Sequence, residues 1–165
     1  MKLAPRALPE LLAGRRIASV TGTNGKTTTT HFLTAAVRAE TPDGQRSVVT
    51  NADGANLHHG IVSALGQAPD ATIAVLETDE RVVADVVAMG SPEVLVLLNF
   101  SRDQLDRNHE LTFLGRDWRV ALEKAAERGP TVVANACDPL IVWVCQKARH
   151  VIWVDTKPRW TADAT

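Results

Sequence analysis

A chain of 165 residues fits one domain of ordinary size, and with 45% hydrophobic and 22% charged residues its composition is globular rather than disordered. Lysine and arginine total 18 against 19 acidic residues, a formal net charge of -1 that excludes a broad basic face for nucleic acid. Cys137 and Cys145 form no CxxC pair and outline neither a disulfide framework nor a zinc knuckle; they read as small core residues in a reducing cytoplasm. No apolar run approaches the roughly 20 residues that span a bilayer, and the opening Met-Lys-Leu-Ala-Pro-Arg lacks the apolar stretch of a signal peptide, so a cytoplasmic location is expected.

In chain order, residues 1–14 read as a lead-in containing a helix, and the β-branched run 16–21 predicts a first strand ending at Gly22. A helix is predicted from Lys26 to Arg38, a strand over 47–50, a helix over 55–65 and a strand over 71–76. Val82, Val83, Val86, Val87 and Met89 carry mixed three- and four-residue spacing, which predicts a helix over 80–89 despite the valines' preference for strands. A buried strand over 94–98 precedes a polar loop from Asn99 to Glu110. The segment 111–127, with Leu111, Leu114, Trp118, Ala121, Leu122 and Ala125 on one face, is the clearest amphipathic helix. Gly129-Pro130 stops it, a strand follows over 131–134, and Asp138-Pro139 supplies an N-cap and a first-turn proline for a helix over 139–147. A sixth strand is predicted over 151–154, and 156–165 reads as a tail without periodicity. Strands alternating with helices and apolar on both faces predict an α/β fold: a three-layer α/β/α domain, residues 15–155, around a mostly parallel sheet with a phosphate-binding P-loop.

The strongest chemical signal is Thr21-Gly22-Thr23-Asn24-Gly25-Lys26-Thr27-Thr28, where a strand gives way to a helix. Gly22 and Gly25 permit backbone angles and amide approaches that a side chain would block, and the helix N-terminus adds partial positive charge. Gly22, Thr23, Asn24, Gly25, Lys26, Thr27 and Thr28 are therefore the nucleotide-binding candidates. Lys26 supplies a point charge for the outer phosphates, and the Thr27 hydroxyl stands where a magnesium ligand is needed. Val20 occupies the place of the first glycine of GxxxxGK[ST], so the loop is a variant; the plainer alternative is a Gly-Thr-Asn-Gly turn with a solvated lysine.

Glu77 ends an apolar strand at the carboxyl edge of the predicted sheet, where a carboxylate holds magnesium directly or through water, and it joins Lys26 as a catalytic candidate and Thr27 as a metal candidate. Asp79 and Glu80 fit equally as first-turn acids of the next helix or as substrate contacts. Asn99, Arg102, Asp103, Gln104 and Asp106 form a polar loop after a buried strand, and Asn51, Asp53, Gly54 and Asn56 another; each set reads as substrate loop or as hydrogen-bonded turn. His58 and His59, about 100° apart on a helix, cannot share one ion and read as surface or packing residues. Trp118, Trp143 and Trp153 fall in predicted elements and are expected in the core, whereas Trp160 lies in the tail.

Taken together, Gly-Thr-Asn-Gly-Lys-Thr-Thr-Thr-Thr (22–30), Thr-Asn-Ala-Asp-Gly-Ala-Asn-Leu (50–57), Leu-Glu-Thr-Asp-Glu (76–80) and Asn-Phe-Ser-Arg-Asp-Gln-Leu-Asp-Arg (99–107) resemble the Mur ligase family over roughly residues 15–155. Gln104, in place of a metal-binding histidine, and the early position of the loop at residue 22 make the chain most similar to the MurT branch; Asn108-His109-Glu110 departs from that branch's usual Tyr-Gly-Glu. The resemblance implies an ATP- and Mg2+-dependent carbon-nitrogen ligase that amidates the D-glutamate α-carboxyl of lipid II at the cytoplasmic membrane face, through an acyl phosphate and with ammonia from a GatD-like glutaminase. It also implies a zinc ribbon and a C-terminal domain, neither of which is expected within these residues. Three other readings stay open: another Mur- or folylpolyglutamate-type ATP-dependent ligase fragment, a stand-alone Mg-ATP-binding module without ligase activity, and a non-catalytic scaffold.

Overall fold

The β-branched runs of the chain form a six-stranded parallel sheet in the order β2-β3-β1-β4-β5-β6. The strands are β1 (Arg16–Thr21), β2 (Val48–Thr50), β3 (Ile73–Glu77), β4 (Val94–Leu97), β5 (Thr131–Asn135) and β6 (His150–Val154). The helices are α1 (Ala7–Leu12), α2 (Lys26–Glu40), α3 (Gly44–Ser47), α4 (His58–Gln67), α5 (Val83–Gly90), α6 (Asn108–Lys124) and α7 (Pro139–Cys145). The computed structural model describes residues 6–51, 54–100, 108–125 and 127–155.

Handedness decides which face each helix covers. The β1-to-β2 crossover runs in one direction along the sheet, and the crossovers into β3, β4, β5 and β6 run in the other. Right-handed connections then place α2, with the short α3 that follows it in the same crossover, on one face and α4 to α7 on the opposite face. The packing agrees, for neither apolar cluster contains an α2 residue. One cluster joins Leu8 and Leu12 of α1 to Ile17, Ile61, Leu65, Ala74, Leu76 and Val86; the other joins Leu95, Leu97, Val132 and Ala134 to Trp118, Leu122, Ile141 and Val144. The lead-in helix therefore belongs to the same packed body. Against the other face, α2 buries Thr30 and Thr34 rather than large apolar side chains.

Several boundaries move for identifiable reasons. Ser47, expected in a strand, closes α3, where the Ser47 amide donates to Asp43 O at 3.0 Å. Helix α4 begins at His58 rather than residue 55 because Ala55 O and the Asn56 side chain are engaged by the strand ends. Asp79 receives the Arg81 amide at 3.0 Å and so delays α5 to Val83, while α6 starts three residues earlier and ends three earlier than predicted. The Asp138 cap forms as expected, accepting from the amides of Leu140 and Ile141 at 2.9 and 3.2 Å.

Two expectations about burial fail. Trp118 is core and Trp143 packs half-buried against the same cluster, but Trp153 lies on the edge strand β6 and is 47% exposed. Likewise Cys145 is buried, whereas Cys137 is exposed in the turn after β5. Trp160 lies outside the described residues. Among the described residues no helix is long and apolar enough to cross a membrane.

Candidate functional site

Strands β1 and β4 lie side by side and send their chains to opposite faces, so the crevice at their carboxyl ends is the place where an open parallel sheet receives ligands. The loop 22–25 sits there. Gly22 has φ +136°, and a Cβ on it would stand 2.8 Å from Asn99 N and 2.9 Å from Leu98 Cβ, so no larger residue fits. Gly25 caps α2 in the left-handed region at φ 84° and contributes no side-chain cap. The amides of Lys26, Thr27 and Thr28 precede the first intrahelical bond, from Thr29 N to Gly25 O at 3.0 Å, and form the polar end of the helix.

Asn99 fastens this loop to the end of β4. Its Oδ1 accepts from Asn24 N at 2.9 Å, its Nδ2 donates to Asn24 O at 3.0 Å, and its carbonyl accepts from Thr23 N at 2.8 Å. A residue that reads from sequence as a substrate-loop candidate or a hydrogen-bonded turn is thus engaged with the backbone of the loop 22–25. The Lys26 ammonium folds back over the loop, donating to Gly22 O at 2.6 Å and Thr23 O at 3.2 Å, with Glu80 Oε1 3.7 Å away. Thr27 and Thr28 are exposed at the start of α2.

Glu77 is paired in register with Val20, immediately before the loop, and is only 2% exposed. Its backbone is gripped by Asn51, which accepts from Glu77 N and donates to Glu77 O, both at 2.8 Å. Asn56 Nδ2 donates to Glu77 Oε1 at 2.8 Å, and Glu77 Oε2 is buried with no hydrogen-bond partner among the described residues. A carboxylate oxygen in that state is costly unless something cationic or protic meets it, and the chemistry suits a hard cation such as magnesium. Asn51 and Asn56 therefore orient Glu77, and both are occupied by protein groups.

Asp79 and Glu80 part company. Burial pushes the Asp79 carboxyl up, but the hydrogen bonds from Arg81, together with the charges of Arg81 and Lys26, outweigh it and hold the group below its usual range. Glu80 instead faces Lys26, and its carbonyl accepts from Trp118 Nε1 at 2.8 Å. His58 pairs with Asp85 at 2.8 Å, in keeping with a packing role. Asp53, Arg102, Asp103, Gln104 and Asp106 lie outside the described residues, and among those described no three His, Cys, Asp or Glu side chains gather to hold a metal.

Beside the loop, a cleft of about 360 Å³ is lined by Gly25, Val96, Leu98, Asn99, Val133 and Asn135. Asn135 Nδ2 donates to Leu98 O at 2.8 Å and its Oδ1 accepts from Cys137 N at 2.9 Å, fixing this rim. Asn135 was not singled out in the sequence; its place at the carboxyl end of β5 was the available signal.

The sequence matches the Mur ligase middle domain over residues 20–158. The chain belongs to the Mur ligase family. It is 40% identical over 137 residues to the lipid II isoglutaminyl synthase (glutamine-hydrolyzing) subunit MurT of Streptococcus pneumoniae, covering 81% of this chain and 29% of that protein. With the MurT subunit of Staphylococcus aureus it shares 33% identity over 127 residues, 76% of this chain and 28% of that one. A UDP-N-acetylmuramate--L-alanine ligase of Saccharopolyspora erythraea is 36% identical over 62% of this chain and 19% of its own length. The chain thus spans less than a third of the length of these curated relatives. In fold it is similar to the UDP-N-acetylmuramoylalanyl-D-glutamyl-2,6-diaminopimelate--D-alanyl-D-alanyl ligase of Acinetobacter baumannii, with a TM-score of 0.61 at 15% identity over 89% of this chain and 32% of that one. The α/β sheet expected from sequence is therefore the fold of a Mur ligase middle domain.

Proposed function

We propose that residues 15–155 are the ATP-binding domain of an ATP-dependent carbon-nitrogen ligase of the MurT type, which amidates the D-glutamate α-carboxyl of lipid II with ammonia from a GatD-like glutaminase. The observation that carries this reading is the meeting, at a single sheet edge, of a phosphate-sized loop, its lysine and a buried carboxylate with one oxygen unpartnered among the described residues. The MurT relatives supply the direction of the chemistry.

In this reading the loop amides and Lys26 bind the phosphates, and Thr27 and Glu77 hold magnesium, which when bound supplies charge neutralisation on the phosphate oxygens. Glu80 positions the Lys26 ammonium until phosphate replaces it as the partner. The acceptor carboxylate is a poor electrophile until an oxygen attacks the terminal phosphorus and ADP departs. The acyl phosphate then takes ammonia at its carbonyl carbon, phosphate leaves with the C–O electron pair, and the nitrogen loses a proton. Residues 22–28 contribute mainly position and charge to this sequence. Asp53, Arg102, Asp103, Gln104 and Asp106 are proposed for the acceptor side, and the zinc ribbon is proposed to lie elsewhere in the full-length protein.

The test is the product formed by the native protein, purified from its own cell, on lipid II with ATP, glutamine and the glutaminase. The expected product has D-isoglutamine in place of D-glutamate, and Lys26→Ala abolishes it. A product lengthened by an amino acid would assign the chain instead to the amino-acid-adding ligases, which are also among its relatives.

A further inference from the structure

Away from the loop, a cleft of about 730 Å³ opens between α2, α3 and the edge strand β2, a volume typical of small-molecule sites. Its polar lining is His31, Thr34, Arg38, Gln45 and Thr50, with Ala35 and Ala39 as an apolar wall, and among the described residues it includes no carboxylate. Three polar atoms of these residues are buried without a hydrogen-bond partner among the described residues: Thr34 Oγ1, Arg38 Nε and Thr50 Oγ1. Thr34 is 3% exposed, and its place on the sheet-facing side of α2 is one that an apolar residue would fill at no such cost.

The Arg38 guanidinium is held over the strand by its bond to Val48 O at 3.2 Å, which leaves the Nε–H unused. Arginine only donates hydrogen bonds, and each other polar group in the lining is able to donate one. The complement of such a surface is a group that accepts and carries negative charge. Thr34 lies eight residues beyond Lys26 on the same helix, about 12 Å along its axis, so one anion cannot serve both places.

We propose that this cleft binds the acidic group, carboxylate or phosphate, of a small molecule, at a site separate from the nucleotide loop. The alanine wall accommodates the apolar part of such a molecule, and the hydroxyls of Thr34 and Thr50 with Arg38 Nε receive its oxygens after a small side-chain adjustment. The site does not depend on the loop's own ligand.

The test is an NMR titration of the chain with inorganic phosphate and, in a second arm, with succinate, following backbone amides. Saturable shifts are expected at Thr34, Arg38, Gln45 and Thr50, with phosphate or succinate according to which acid the site takes. They persist in Lys26→Ala, which separates this cleft from the loop. Thr34→Val, which keeps the shape and removes the hydroxyl, weakens the response about fivefold or more, and Gln45→Ala on the exposed rim weakens it less. Shifts confined to residues 22–28, no saturation with either probe, or an unchanged response in Thr34→Val would each overturn the proposal.

Discussion

The two halves of the sheet are built from similar strands and covered differently. In the half containing β2, β3 and β1, α2 lies on one face and α1, α4 and α5 on the other, and Val20, Ala74, Val75 and Leu76 are all 0% exposed. In the half containing β4, β5 and β6, α6 and α7 pack on one face, but Val96 and Val133 remain half-buried on the other, and Ile152 and Val154 at the edge are about half exposed. One crossover running against the rest produces this asymmetry, because handedness allows α2 no companion on its face but the short α3 of the same crossover. The loop 22–25 stands on the boundary, anchored to the doubly covered half through β1 and to the singly covered half through Asn99.

The contrast sets the order of expected effects. Leu76→Ala opens a hole in the doubly covered half and is expected to cost about 2–5 kcal/mol in urea denaturation, against about 1 kcal/mol or less for Val133→Ala; equal losses would erase the distinction. Gly22→Ala, at the boundary, meets the β4 end at sub-contact distance with an unfavourable φ and is expected to lose about 2–4 kcal/mol together with nucleotide binding. Asn99→Ala keeps the strands but unfastens the loop, with an expected cost of about 1–2 kcal/mol and a weaker nucleotide response.

A smaller effect comes with pH. Because the Asp79 carboxyl is held below its ordinary value of 3.8, its contribution is complete above that pH and is lost as pH falls toward the lower folded-state value. Asp79→Asn should therefore narrow its stability gap from the wild type in acid and retain it at neutral pH. The smallest perturbation is a label: a thiol reagent should modify exposed Cys137 at neutral pH and spare Cys145, whose thiol burial pushes up to about 12.

What was legible in the sequence was local. Short apolar or β-branched runs mark each strand, the glycine-spaced loop marks the strand-to-helix switch, and Asp138-Pro139 marks the start of α7. What was not legible depended on partners distant in sequence. Nothing near Asn99 shows that its amide will grip Asn24, 75 residues earlier, and nothing near Asn51 shows that it will bracket the backbone of Glu77. From sequence both read either as substrate-loop residues or as members of a hydrogen-bonded turn, because a side-chain amide has no local mark of its partner. Trp153 was misplaced for a related reason: an apolar strand carries the same letters in the middle of a sheet as at its edge, and only strand order separates the two. The short helix α3 escaped because four residues are too few to show a period.

The most direct measurement is the stability of the chain with and without Mg-ATP, compared for the wild type, Lys26→Ala and Glu77→Gln. If the β1–β4 crevice is the nucleotide site, ligand at 100 times its dissociation constant adds roughly 2.7 kcal/mol to the wild type. Lys26→Ala should gain almost nothing, and Glu77→Gln should lose the part of the gain that depends on magnesium. An unshifted wild type, or the same gain in Lys26→Ala as in the wild type, would contradict the assignment.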